Sequence, residues 1–311
     1  MEYYIGIDIG GTNLKAGVVD AQGNMLGEAD TPTGADRPQD IVFQDILGAV
    51  KTSIKNSGIG IEEISAAGMG SPGLINSESG IVIYNNNLGW RDFHIGEKMT
   101  EALKIPSRLE NDADAAALGE VISGSAKGAN SAVIITLGTG VGVGAVIGGK
   151  ILPGEFGHMV IAHGGRECTC GRKGCFEAYS SATGLINMTK EAINKNPNGI
   201  LADIAKLEGS VSGRTVFDAC DKGDLEALKL IDEYTDYLAC GIANLINGLQ
   251  PEVVSIGGGI AKQGEKLLAP LREKVKNEVY KGIKIPKIVT CTLGYKAGLI
   301  GAAMAAKIVR N

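Results

Sequence analysis

The sequence has no apolar run of membrane-spanning length, so no segment is expected to cross a bilayer. It shows no signal-peptide pattern, because Met1-Glu2 leads straight into a strand-like stretch. Nor does it carry a surplus of positive charge. Its 30 Lys and Arg stand against 35 Asp and Glu, and a net charge of −5 argues against nucleic acid as the main partner. The cysteine usage is not that of a disulfide scaffold. Of six cysteines, Cys220, Cys240 and Cys291 lie in apolar or alanine-rich context that reads as core. The other three crowd into one short segment with metal-type spacing, which fits a reducing cytoplasm. What remains is a soluble globular chain. At 311 residues and 44% hydrophobic content it can build two domains with sizeable cores. Its 46 glycines cluster between strand-like stretches, a pattern of ligand loops more than of disorder.

The segment Gly154 to Ser181 organises the rest. Cys168, Cys170 and Cys175 form a Cys-x-Cys-Gly-x-x-Gly-Cys knuckle, ten residues after His158. Three thiols and one imidazole complete a tetrahedral set for zinc, and Gly171 and Gly174 let the backbone turn tightly around an ion. With four protein ligands and no open position, such a metal is structural. Glu155 and Glu177 frame the set, and zinc would draw Glu177 towards Glu155 and His158.

Along the chain, Tyr3 to Ile9 alternates as a buried strand and ends in Asp8-Ile9-Gly10-Gly11-Thr12-Asn13. Strands from Leu14 and from Met25 follow, so the glycine turn belongs to a hairpin. Its amides and the Thr12 hydroxyl suit an anion, and Asp8 suits a water-bridged magnesium ion; an ordinary hairpin turn is the alternative. A helix is predicted over Gln39 to Asn56, with strands over Ile64 to Met69, Ile81 to Tyr84 and Pro106 to Leu109. Asn85, Asn86 and Asn87 suit either hydroxyl recognition or a plain turn. Asn111 or Asp112 would cap the alanine-rich helix that follows, and Asp112 could instead serve as a general base there. Ser131 to Leu137, the turn Gly138-Thr139-Gly140 and a strand pair through Leu152 then repeat the opening pattern, so the chain reads as two related halves. Gly140, Gly142 and Ala145 match a dinucleotide fingerprint, but a strand pattern follows where a helix is needed. Helices are predicted over Ala182–Asn194, Gly199–Leu207 and Asp224–Leu249. Strands are predicted over Val253 to Ile256 and Ile288 to Leu293, and a last small-residue helix from Lys296 folds back on the first domain. The Gly257-Gly258-Gly259 turn permits close approach of a flat ligand such as adenine, or is a plain strand-to-helix turn.

Taken together these residues resemble the ROK family of sugar kinases, repressors and open reading frames, most closely its bacterial glucokinase branch. Asp8-Ile9-Gly10-Gly11-Thr12 resembles the family's first phosphate loop and Gly138-Thr139-Gly140 its second. Glu110-Asn111-Asp112-Ala113 resembles the catalytic segment. Glu155-Phe156-Gly157-His158, the knuckle and Glu177 resemble the sugar and zinc signature. The resemblance implies an α/β, actin-like (ribonuclease H-like) ATPase fold of two related domains with the sugar in the cleft. The expected division is 1–119 with the C-terminal helix 295–311, and 120–294 carrying the zinc knuckle. It also implies ATP with Mg2+, structural Zn2+, a cytoplasmic location and a homo-oligomer, dimer or tetramer.

Site roles follow from the same resemblance. Asp112 would take the proton from the sugar 6-hydroxyl as it attacks the γ-phosphate. Asn87, Asn111, Glu155, His158 and Glu177 would bond the ring hydroxyls. His158 would serve both zinc and sugar, one ring nitrogen each. Asp8, Gly10, Gly11, Thr12, Gly138, Thr139 and Gly140 would hold phosphate and magnesium, and Gly257, Gly258 and Gly259 would lie near the adenosine. A repressor of the family needs a winged-helix segment ahead of Asp8, and the sequence places too few residues there. A non-catalytic sensor is disfavoured by Asp112 and the two phosphate loops. Glucose is the expected sugar, ahead of N-acetylmannosamine, N-acetylglucosamine, allose and, last, fructose, whose branch carries His within the knuckle.

Overall fold

A computed structural model describes residues 2–85 and 88–308. In chain order the strands and helices begin with a meander, β1 (Tyr3–Ile9), β2 (Asn13–Asp20) and β3 (Met25–Pro32). Helix α1 (Gln39–Ser57) leads to β4 (Ile64–Ser71), then β5 (Leu74–Asn76), β6 (Ile81–Asn85), β7 (Trp90–Phe93), α2 (Ile95–Leu103), β8 (Ser107–Asn111) and α3 (Asp112–Ser123). A second meander follows, β9 (Ala132–Leu137), β10 (Val141–Ile147) and β11 (Lys150–Leu152). Then come α4 (Phe176–Ser180), α5 (Ala182–Lys195), α6 (Ile200–Glu208), α7 (Thr215–Asp221), α8 (Leu225–Leu249), β12 (Val253–Gly258), α9 (Glu265–Glu278), β13 (Lys287–Thr290) and α10 (Lys296–Ile308). None of these helices is long and apolar enough to cross a membrane, among the described residues.

The two five-stranded sheets have the same order. One runs β3-β2-β1-β4-β8 and the other β11-β10-β9-β12-β13. In each, an antiparallel meander is extended by two further strands: β1 pairs in parallel with β4, β4 with β8, and β12 with β13. The repeat seen in the sequence is therefore a repeat of topology. A small third sheet, β5-β6-β7, sits on the first half.

Contacts divide the chain into two compact units. The first is Met1–Ile134, Gly144–Pro153 and Cys291–Asn311; the second is Ile135–Val143 and Gly154–Thr290. This differs from a division at residues 119/120 and 294/295. Residues 120–134 and the hairpin 144–153 belong with the first unit, and the chain rejoins that unit at Cys291.

In the first unit, β1 is central and its Ile5, Ile7 and Ile9 are fully buried. Helix α1 covers one face with Val42, Phe43, Ile46, Leu47 and Val50, the i, i+4, i+8 spacing of an amphipathic helix. Trp90 and Phe93 of β7 join this core edge-on, with ring centroids 5.0 Å apart. Helix α10 covers the other face through Ile300, Ala303 and Met304. It comes so close that a Cβ at Gly6, Gly68 or Gly301 would meet a backbone carbonyl at 1.9, 1.7 or 1.5 Å, so these positions admit only glycine. Dense contact between backbones replaces side-chain volume there.

The expected strand Ile288 to Leu293 ends early, at Thr290. The reason is Glu120, fully buried near the end of α3. Its carboxylate accepts the N–H groups of Thr292 (3.1 Å), Leu293 (2.9 Å) and Ser125 (2.7 Å) and the Ser125 hydroxyl. The backbone of 292–293 bonds to a side chain, so the strand stops before it. A buried charge is tolerated when it is hydrogen-bonded this fully.

Candidate functional site

Within the first unit the site grows from the end of β1. Asp8 stands opposite Lys15 of β2 and opposite Gly70 of β4. The hairpin closes by the Gly10 N–H donating to the Asn13 carbonyl at 3.1 Å, and Thr12 is exposed at its tip. The start of α10 lies over Asp8: a Cβ at Gly298 would come within 3.1 Å of the Asp8 carboxylate. Asn111 settles the question of the helix cap. Its Oδ1 accepts the N–H of Ala113 (2.9 Å) and of Asp114 (3.4 Å) at the N-terminus of α3. Asp112 is then the first residue of α3, half-buried, with its Oδ1 2.9 Å from the Ala113 N–H. Gly70 brings the two acids together, since it pairs with Asp8 and a Cβ on it would lie 3.7 Å from the Asp112 Cα.

Burial pushes the Asp8 carboxyl up to about 6, the Asp112 charge adds to this, and Lys15 offsets part of it. The folded chain therefore holds a proton on Asp8 more tightly than the unfolded chain. Stability falls as pH rises from the ordinary carboxylate value through about 6, and the loss, on the order of 3 kcal/mol, is complete at higher pH. Asp8→Asn should thus raise the unfolding free energy at pH 8 by up to about 3 kcal/mol while activity falls. The gain should vanish near pH 4, where Asp8 is protonated in the native protein. Urea unfolding without nucleotide at the two pH values measures this; a variant no more stable than the parent at pH 8 contradicts it.

Within the second unit the matching hairpin is Gly138-Thr139-Gly140, closed by the Gly138 N–H on the Gly140 carbonyl at 3.1 Å. The knuckle stands beside it. The ligand atoms of His158, Cys168, Cys170 and Cys175 all lie within 4.8 Å of one another. Cys170 Sγ is 3.6 Å from Cys175 Sγ, and Cys168 Sγ is 3.6 Å from His158 Nδ1. Tetrahedral zinc with ordinary bond lengths sets S···S at about 3.8 Å and S···N at about 3.6 Å, so these two pairs match that ion, and the set as a whole, spread to 4.8 Å, reaches it by a small closure of the side chains. The fit uses Nδ1 and leaves His158 Nε2 for a second partner. Gly171 and Gly174 have φ of +83° and +82°, and a Cβ at Gly174 would lie 1.8 Å from the Ala162 carbonyl. The tight backbone read from the sequence is present. The Arg172 N–H is the first cause that holds the Cys170 thiol below its ordinary range.

Glu177, on α4, joins knuckle and loop. Its Oε1 accepts the Thr169 hydroxyl at 2.9 Å, and its Oε2 accepts the Val141 N–H at 3.1 Å. A Cβ on Gly140 would lie 2.2 Å from that Oε2, so a side chain there would push the Glu177 carboxylate off the Val141 N–H. The turn bearing exposed Glu155 and half-buried His158 is packed on the same strand, since a Cβ at Gly157 would meet the Val141 carbonyl at 2.0 Å. Gly258 has φ +87° and presses on the Leu137 carbonyl, where a Cβ would lie at 2.3 Å. Its glycine is required by the backbone, and the contact sets the Gly257–Gly259 turn beside the second hairpin. A Cβ on Gly259 would meet nothing within 4 Å.

The second unit thus gathers Glu155, His158, Glu177, the knuckle, the second hairpin and the glycine turn. The first gathers Asp8, Gly10, Gly11, Thr12, Asn111 and Asp112. Asn87 lies outside the described residues. Asn85 is a turn residue: its Nδ2 donates to the Pro72 carbonyl at 2.8 Å and its Oδ1 accepts the Leu88 N–H at 3.1 Å. Sequence reasoning missed Thr33 and Thr183, which bond the motif residues from outside the motifs and whose only signal is proximity after folding, and Thr169, which lies inside the Cys-x-Cys knuckle and bonds Glu177.

A duplicated strand meander, each copy opening on a glycine–threonine hairpin, defines an actin-like ATPase fold. The chain belongs to the ROK family, whose profile matches residues 4–308. It is 34% identical to a glucokinase of Halalkalibacterium halodurans, over 99% of this chain and 96% of that one. A xylose repressor of Bacillus spizizenii is 27% identical, with 96% of this chain matching 75% of the repressor. Among solved structures, a ROK hexokinase from Thermus thermophilus superposes with a TM-score of 0.85 at 31% identity, covering 99% of both chains. A ROK glucokinase from Streptomyces griseus, in complex with glucose and AMPPNP, gives 0.80 at 32% identity, covering 98% of this chain and 99% of that one.

Proposed function

We propose that this ATP-dependent sugar kinase transfers the γ-phosphate of ATP to the 6-hydroxyl of glucose, with Asp112 as general base. Asn87, Asn111, Glu155, His158 and Glu177 hold the ring hydroxyls. The turns Gly10–Thr12 and Gly138–Gly140 hold the donor phosphates, and Gly257, Gly258 and Gly259 lie by the adenosine. Asp8 fits magnesium held through water: a buried carboxylate destabilised by its surroundings gains most from a cation. Magnesium when bound neutralises the donor phosphates, and the protein's own part is positioning and proton transfer. The knuckle fits structural zinc. The protein is further proposed to act in the cytoplasm as a dimer or tetramer, to be read by sedimentation.

The observation that carries this reading is the pairing of Asp112 with Asp8 across Gly70 at the first phosphate hairpin. It sets a carboxylate base next to a loop suited to phosphate. A panel of hexoses assayed with ATP tests the reading. Glucose should give the highest kcat/KM. Glu155, Glu177 and His158 Nε2 offer acceptors and a donor suited to free hydroxyls, and a site built to bond a hydroxyl can disfavour an analogue lacking it by about 10⁴-fold. A higher kcat/KM for N-acetylmannosamine or N-acetylglucosamine would refute glucose and leave the kinase. Sugar binding without any ATP turnover would refute the kinase in favour of a sensor.

A further inference from the structure

The two phosphate hairpins are braced from behind in the same way. In the first, the hydroxyl of Thr33 donates to the Gly10 carbonyl at 2.6 Å, and the Thr33 N–H donates to the Thr12 carbonyl at 2.8 Å. In the second, the hydroxyl of Thr183 donates to the Thr139 carbonyl at 2.7 Å, and the Ala182 N–H donates to the Gly138 carbonyl at 2.8 Å. Each brace is one threonine hydroxyl plus one backbone N–H on two carbonyls of the turn. The braces come from unrelated places: Thr33 follows a strand, and Thr183 is in the first turn of a helix capped by Ser181. Thr33 is fully buried, whereas Thr183 is exposed.

A peptide plane is rigid and trans, so its C=O and N–H point to opposite sides. Fixing the Gly10 and Thr12 carbonyls on the brace sets the Gly11 and Asn13 N–H groups on the other side. Fixing the Gly138 and Thr139 carbonyls does the same for the N–H groups of Thr139 and Gly140. A turn that binds an anion through its amides must keep its carbonyl oxygens, which repel that anion, turned away, and those oxygens then need donors of their own. Glycine-rich turns have no side chains to hold this orientation, and several peptide orientations are open to them. We propose that Thr33 and Thr183 are positioning residues for the donor phosphates: they orient the peptides of the two hairpins so that amides, not carbonyls, face the nucleotide. This rests on the kinase reading above and adds residues that its motifs do not contain.

The test uses the full-length, zinc-replete protein and four variants, Thr33→Val, Thr183→Val, Thr33→Ser and Thr183→Ser. Valine keeps the shape and removes the hydroxyl; serine restores it. Calorimetry gives Kd separately for AMPPNP with magnesium and for glucose. Each valine variant should weaken AMPPNP by about tenfold while glucose stays within about twofold, and each serine variant should bind both as the parent does. AMPPNP binding within twofold of the parent in both valine variants would overturn the proposal, as would equal weakening of both ligands. Should Thr33→Val fail to fold, exposed Thr183 decides the outcome alone. A parent protein that binds no AMPPNP refutes the kinase reading itself, and this proposal with it.

Discussion

Asp112→Asn should lower kcat by about 10²–10⁴-fold while changing glucose binding much less. A carboxylate is a weak base toward an alcohol in the ground state. As the attacking oxygen bonds to phosphorus its proton becomes acidic, and transfer to Asp112 becomes favourable late in the step. The amide keeps the shape of the carboxylate and can accept a hydrogen bond, but it cannot take the proton. Asn111 is occupied in capping α3, so the change at 112 leaves the helix start intact. Asp114 is the natural control, because two residues along a helix turn it by roughly 200° from Asp112. The sequence leads one to expect little from Asp114→Asn. The structure adds that Asp114 is buried, so this variant should lose thermal stability yet keep the kcat of its folded fraction. Initial rates at saturating glucose and ATP compare the two. A near-normal kcat in Asp112→Asn, or a collapse confined to Asp114→Asn, removes Asp112 from the base position.

Cys170→Ala should lose metal and activity together. Metal analysis of the parent should find about one zinc per chain, and structural zinc contributes on the order of 10 kcal/mol to local folding. Backbone bonds such as Cys168 N–H to the Arg172 carbonyl at 2.9 Å and the burial of Cys168 and Cys175 also tie the segment down, so the loss should be local to the exposed Cys170 end of the knuckle. What it positions reaches further than its size. His158 Nδ1 faces Cys168 Sγ, Thr169 donates to Glu177, and Glu177 accepts the Val141 N–H next to the second hairpin. Loss of the knuckle should therefore raise the KM for both sugar and ATP before any global unfolding. A fully active protein without zinc would end this account.

The sequence was most legible where a local pattern had a physical cause that folding does not alter. The β1–β2 turn, the alanine-rich start of α3 and the Cys-x-Cys knuckle were all readable because strand alternation, capping chemistry and ligand spacing are local. The repeat of strand, glycine turn and strand was readable too, and the two sheets share one strand order. Helices α2 and α9 were missed: one is nine residues long with a glycine inside, and the other contains Pro270. Strands β5 and β7 are three and four residues long, below what periodicity can resolve. The helix cap was ambiguous between Asn111 and Asp112 because both side chains can serve, and only geometry chooses. Glu120, Thr33 and Thr183 were invisible for another reason. Each acts on backbone distant in sequence, up to 173 residues away for Glu120, and a side-chain bond to a remote main chain leaves no spacing to read.

The position of α10 has a consequence for how the protein is made. Tyr4, Val19 and Ala66, early in the chain, share their apolar cluster with Ile300, Ala303 and Met304. A ribosome delivers these partners in the opposite order to need, with the whole second unit emerging between them. Until the last helix is released, the far face of the β1–β4 sheet keeps Leu118 and Ile122 of α3 but lacks its main cover, and Gly6 and Gly68 have no backbone to meet. The nascent first half is thus expected to be a chaperone client, protease-sensitive and aggregation-prone, and to gain resistance in one step when residues beyond about 296 clear the exit tunnel.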